Sequence, residues 1–193
     1  MNAVYISGSP RKNSNTDILL KAALSITGGK LIKLVDYHIE FCRACADCKK
    51  TGECVINDDM REIITPLLLN SEFIVIGTPV FFTNVSAQTK AFMDRTWCLR
   101  GKLKNKIGGA VTVGRRYGYG AENTIGTINA FFLKHEMIPA DRGVCGFASE
   151  EKEILQDLEA IKAAENLGKR IKELGDRMGG SNRTGPLESS DFK

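Results

Sequence analysis

Nothing in the sequence approaches the ~20-residue apolar run that crosses a bilayer. Residues 1–7 are too short, and lack the basic flank, for a signal peptide. A soluble, cytoplasmic protein with no membrane partner is expected. Proline is scarce, five in 193 residues, and 26% of residues are charged, which excludes a Pro-rich linker protein or a disordered acidic tail. An excess of one charge sign is also missing. The 27 Lys and Arg against 23 Asp and Glu leave +4, and basic residues cluster only at 100–106 and at Arg115-Arg116. A nucleic-acid partner is excluded, because it would call for a dense basic face with aromatic stacking platforms. Only two histidines occur, His38 and His135, far apart, with no Ser/His/Asp arrangement and no carboxylate pair. No side chain is assigned a catalytic role. The single tryptophan, Trp97, and the isolated Cys98 and Cys145 read as packing residues.

What is present is an alternation of strands and helices. With 42% hydrophobic residues, the chain can bury the core of one domain. Apolar runs at 3–7, 31–37, 73–77, 107–113 and 138–147 read as five strands. Between them lie helices at 17–25, around Met60–Leu68 with Pro66 a local disturbance, at 86–95 and at 123–135. Ile154, Leu158, Ile161, Ala164, Leu167, Ile171 and Leu174 mark a long amphipathic helix. The pattern predicts an α/β fold, a doubly wound parallel sheet of order 2-1-3-4-5 with helices on both faces. The ligand crevice is then at the carboxyl ends of strands one and three. Residues 1–178 form the domain, and the polar, Gly/Ser-rich 179–193 a tail.

Ser7-Gly8-Ser9-Pro10-Arg11-Lys12-Asn13-Ser14-Asn15-Thr16 joins the first strand to the first helix. Hydroxyls, amides and two cations stand there beside a helix N-terminus, a setting that suits a phosphate monoester. It is neither a Walker A loop nor GxGxxG, and an ordinary Ser/Asn-capped turn would read the same way. The third strand exits through Thr78-Pro79-Val80-Phe81-Phe82-Thr83-Asn84-Val85-Ser86, which could lay amides and aromatic carbon against a flat ring or simply plug the core. The fourth exits through 113–120, Gly- and Tyr-rich, a second wall or a surface loop.

Four of the six cysteines fall within thirteen residues, Cys42-x2-Cys45-x2-Cys48-x5-Cys54. In a reducing compartment such a cluster suggests metal rather than disulfides. Successive x2 spacings let thiolates converge on an inorganic core, and Gly52 lets the chain fold back for a fourth ligand. There is no second run and no Pro after Cys54, so a single 4Fe-4S cluster with local ligands fits better than the shared bacterial ferredoxin pattern. Structural zinc is the rival, although it usually takes two separated CxxC pairs. Because parallel strands leave at one edge, the cysteine loop at 42–54 is expected on the same edge as the crevice.

GSPRKNSNT followed by TPVFFTNVSAQTKAFMDR resembles the flavodoxin-like NADPH-dependent FMN reductase superfamily, specifically its iron–sulfur flavoprotein branch, over residues 1–150. The resemblance implies FMN phosphate held by Ser9, Arg11, Ser14, Asn15 and Thr16. It implies the isoalloxazine held by Pro79, Val80, Phe81, Phe82 and Asn84, with help from Gly114. Many relatives carry Tyr where this chain has Phe81, so a hydroxyl hydrogen bond is lost there. The compact cysteine motif marks the branch, implying Cys42, Cys45, Cys48 and Cys54 as ligands of a 4Fe-4S cluster. The family further implies a homo-oligomer, commonly a tetramer built from dimers. Its chemistry would carry electrons from a ferredoxin-like donor to oxygen, peroxide or a quinone-like acceptor. Two other readings stay open: an NAD(P)H-dependent FMN or quinone reductase with zinc at the cysteines, and a zinc-stabilised interaction domain without flavin.

Overall fold

The computed structural model describes residues 2–115 and 120–181. The expected loop residues 116–119 and most of the expected tail, residues 182–193, lie outside the described residues. Strands β1 (Ala3–Ser7), β2 (Lys30–Lys33), β3 (Phe73–Pro79) and β4 (Ile107–Gly114) form a parallel sheet in the order β2-β1-β3-β4. Two short strands, β5 (Ile138–Pro139) and β6 (Val144–Phe147), continue it beyond β4. The order is the expected flavodoxin-like one.

Each strand alternates between two cores. Ile74 and Ile76 of β3 face one, while Phe73 and Val75 face the other. Helices α1 (Asn15–Thr27) and α6 (Leu158–Ser181) cover the second through Leu19, Leu20, Ala164 and Leu167. The first is covered by α3 (Thr65–Asn70), α4 (Ala87–Arg95) and α5 (Ala121–Lys134), which bring Leu68, Phe92, Ile128 and Phe132. The remaining helix, α2 (Cys48–Thr51), is one turn inside the cysteine loop. No helix among the described residues is long and apolar enough to cross a membrane.

Three details differ from expectation, each for a local reason, and the disturbance expected at Pro66 is present. The fifth strand is split, because the chain detours at 140–143, where Gly143 takes φ 104° and its N–H donates to the Asp141 carboxylate at 2.8 Å. The second strand stops at Lys33, since its partner β1 ends at Ser7, and the chain closes into a 3-10 turn at Leu34–Asp36. Around Pro66 the helix opens with a widened turn, Met60–Ile64, in which the Thr65 N–H reaches back to the Met60 carbonyl. Proline has no N–H for the regular ladder there. Ile154 lies in a 3-10 turn, Glu153–Gln156, and α6 starts afresh after Asp157, whose carboxylate accepts the Ala160 N–H at 3.0 Å. It runs to Ser181, past the expected start of the tail at Gly179.

Candidate functional site

A cleft of about 660 Å³ opens at the carboxyl ends of β1, β3 and β4. Its floor is the β1–α1 loop. Ser14 caps α1 with extended backbone, φ −92° and ψ 130°, and its hydroxyl accepts the Asp17 N–H at 3.3 Å. The loop is tied down from several sides. Gly8 donates to the Gly77 carbonyl at 2.8 Å, and the Gly8 carbonyl accepts the Ser86 hydroxyl at 2.6 Å. Lys33 of β2 pairs with Asp17 at 2.9 Å and donates to the Arg11 and Lys12 carbonyls at 3.2 and 3.0 Å. Asp17 in turn accepts the Ser7 hydroxyl. Lys33 thus brings a third cation beneath the loop.

Of the residues singled out for a flavin, Ser9, Arg11, Ser14, Asn15, Thr16, Pro79, Val80, Phe81 and Gly114 line this cleft together. Phe82 and Asn84 are outside its lining. Phe82 is fully exposed at the tip of a tight turn closed by reciprocal Phe81–Asn84 backbone bonds of 2.8 and 3.0 Å. Phe82 and Thr83 both take left-handed backbone, φ 47° and 62°, which costs a non-glycine residue about 1–2 kcal/mol. Asn84 offsets that strain. Its side-chain oxygen accepts the Val85 N–H at 2.7 Å and the Thr127 hydroxyl at 2.9 Å, while Asn123 donates to the Thr83 carbonyl at 3.1 Å.

The sequence reading missed a third wall, formed by Ala148, Ser149, Glu150 and Glu151 after β6. Glu153 holds it, accepting the Ser149 and Glu150 N–H groups, and those bonds pull its carboxyl below the usual range. Asn13 and Asn15 reach it through Glu151 at 2.7 Å and the Glu150 carbonyl at 2.7 Å. The available signal was topological, since any loop leaving a strand beside β4 emerges at the crevice.

The cleft fits FMN. Its volume is in the range of small-ligand sites, about 300–1,000 Å³. At its floor the buried Asn15 Oδ1, an acceptor with no hydrogen-bond partner among the described residues, suits a hydroxyl of the ribityl chain rather than the phosphate. An α1 N-terminus with Ser, Asn, Thr and Arg around it supplies the donors and charge an anion requires.

The cysteine loop leaves β2 at the carboxyl edge, and the chain then runs along α4, where Leu34, Tyr37, Ile39 and Phe41 share a groove with Ala87, Gln88 and Ala91. The cysteines end near the other end of α4. There Arg95 donates to the Glu40 carbonyl at 2.7 Å and the Ile56 carbonyl at 3.5 Å, the two sides of the loop's base. The same guanidinium grips Asp58 with two bonds of 2.6 and 2.8 Å, both side chains wholly buried. Burial alone would push the Asp58 carboxyl up, but the bonds from Arg95, Glu40 and Arg61 outweigh it and hold it below the ordinary range. Nine residues of helix, about 13 Å at 1.5 Å each, thus separate the Ser86 end from the loop's base. Cys48 and Cys54 lie toward the far end of α4, while Phe41, next to Cys42, borders residues near its start.

Within the loop, Cys42 and Cys45 are exposed and Cys48 and Cys54 half-buried, all as free thiols. Ala44 and Ala46 take left-handed backbone, φ 52° and 63°, and Gly52, φ 74°, ends α2 by donating to the Cys48 carbonyl at 3.0 Å. Burial, then the charges of Cys54, Cys45 and Cys42, push the Cys48 thiol up. Among the described residues no three His, Cys, Asp or Glu side chains are gathered tightly enough to hold an ion. The donor set still fits a thiophilic centre, because four thiols on one short loop are soft ligands that ionise together around a cation. Cys98 packs on the core, as expected, but its thiol also feels Cys54 and Cys48, which the sequence did not reveal.

The chain matches the family model described as NADPH-dependent FMN reductase over residues 1–152. It is 38% identical over 188 residues to an iron-sulfur flavoprotein of Methanocaldococcus jannaschii, covering 90% of this chain and 97% of that one. An iron-sulfur flavoprotein of Archaeoglobus fulgidus is 34% identical over 180 residues, covering 90% of this chain and 80% of its own. In fold, it is similar to the flavodoxin, WrbA-like protein of Agrobacterium tumefaciens, with a TM-score of 0.63 at 16% identity, covering 89% of this chain and 98% of that one.

Proposed function

The chain belongs to the iron–sulfur flavoprotein branch of the NADPH-dependent FMN reductase family, and from that premise we propose that it passes electrons between FMN in the cleft and a 4Fe-4S cluster on Cys42, Cys45, Cys48 and Cys54. It is an FMN-dependent oxidoreductase. The observation that carries the finer reading is the joint presence of a cleft that fits FMN and four free thiols on one short loop, three of them acting on Cys48. When bound, FMN supplies one- and two-electron chemistry and the cluster supplies single electrons.

The side chains bind and orient. Ser9, Ser14, Asn15, Thr16 and the α1 N-terminus take the phosphate, with Arg11 adding charge from above and Lys33 from below. Pro79, Val80 and Phe81 flank the ring on one side and Gly114 on the other, while Asn84 holds the strained turn that places Phe81. The Ala148–Glu151 wall borders the phosphate end. Donor and acceptor come from the same reading: a ferredoxin-like protein delivers single electrons, and oxygen, peroxide or a quinone-like compound leaves with two. The homotetramer belongs to the same reading, with a neighbour's cysteine loop facing each flavin. A second reading, NAD(P)H-driven FMN or quinone reduction with zinc at the cysteines, draws on the description of the matching family model.

Cys48→Ser separates the two. Under the electron-transfer reading it loses cluster absorbance and donor-driven turnover while FMN stays bound. Unchanged iron content and turnover would contradict it.

A further inference from the structure

Arg95 is an unusual side chain to find fully buried on a helix end, and it is the largest side chain with almost no exposure. Its five N–H groups can be accounted for. Nη1 serves the Glu40 carbonyl and Asp58, and Nη2 serves the Ile56 carbonyl and Asp58. Nε, equally buried, has no hydrogen-bond partner among the described residues. An orphaned donor on a buried cation costs about 1–3 kcal/mol or more. Such an orphan calls for an explanation, and a bound group that accepts from it is one. The group beside this guanidinium is the Cys54 thiol, which already interacts with it. A neutral thiol is a weak acceptor, whereas a thiolate on iron carries negative charge and accepts readily.

We propose that Arg95 is a positioning residue of the cysteine site: its fork fixes both sides of the loop's base, and its remaining N–H and positive charge act on the Cys54 sulfur to raise the cluster's reduction potential. This rests on the reading that the four cysteines hold a 4Fe-4S cluster. Positive charge and hydrogen bonds at the sulfurs favour the more negative, reduced cluster. Asp58 accepts from both Nη atoms, so its negative charge opposes that of Arg95 while its bonds hold the side chain in place.

That opposition supplies the test. In full-length protein purified without oxygen, Arg95→Met and Asp58→Asn both damage the same buried pair. Potentiometric titration followed by the electron paramagnetic resonance of the reduced cluster should place Arg95→Met below the wild type and Asp58→Asn above it. A merely structural role would move both the same way, and equal or parallel shifts overturn the inference. Should either variant lose its iron, the wild type and Arg95→Lys decide. Resonance Raman of protein grown in deuterated water should then show a shifted Fe–S(Cys) stretch that Arg95→Lys abolishes, and no isotope shift overturns the inference. Wild-type protein with no iron would instead overturn the cluster reading on which this one stands.

Discussion

At Gly8 the β1–α1 loop crosses the start of α4 so closely that an added Cβ would come within 1.7 Å of the Thr89 hydroxyl oxygen. Thr89 cannot yield, because it is bonded to Ser86 at 2.9 Å and to Thr78 at 3.1 Å in a buried hydroxyl cluster. Gly8→Ala must therefore displace the loop that carries Ser9 and Arg11. We expect it to weaken FMN binding to apoprotein at least tenfold, about 1.4 kcal/mol, and to destabilise the fold by about 1–3 kcal/mol. Quenching of flavin fluorescence on titration and urea unfolding read the two effects. Wild-type affinity in this variant would contradict the account of the floor. Gly8 was legible in the sequence as a turn residue. Its contact with Thr89, eighty-one positions later, was not.

Among the elements, α4 does the most to join the two sites. It begins at the Ser86 hydroxyl that holds the phosphate loop and ends at the Arg95 fork that holds the cysteine loop. The 3-10 turn after it, Thr96–Leu99, docks on the end of α5 through His135, whose Nε2 is 2.9 Å from the Thr96 hydroxyl. The His135 ring lies edge-on to Phe131 at 4.7 Å, and burial lowers its pKa. With the folded value below the unfolded ~6.5, the unfolded state binds the proton first. Stability is then complete above about pH 6.5 and falls as the pH drops toward the folded value. Urea unfolding at a series of pH values should show that slope, and His135→Gln should lose this part of it. An unchanged slope in the variant would mean that His135 is not the group responsible.

The same scale shows what sequence can and cannot say. Strands of apolar residues and helices with a buried stripe declare themselves locally, so β1, β3, β4, α4 and α5 were readable within a residue or two. The split of the fifth strand depends on the Asp141–Gly143 turn, and the early end of β2 on where its neighbour stops. Both are pairings between distant segments. The path of the cysteine loop down α4 was set by an Arg95–Asp58 pair that neither residue announces alone.

For the molecule as a whole, the doubly wound order placed the phosphate loop, the Pro79–Phe81 segment and Gly114 around one crevice, and nine of the eleven residues inferred from family resemblance line it. The third wall at Ala148–Glu151 escaped because it carries no motif, only a position. The cysteines were legible as a cluster, but the run of their loop along α4 was not. All of this stands on two cofactors being present together. The most direct test is the visible spectrum of protein purified without oxygen from iron-replete cells, with iron, zinc and FMN quantified. The account predicts about four irons and about one FMN per chain, with broad absorbance bleached by dithionite. FMN accompanied by zinc and no iron, or a colourless protein, would contradict it.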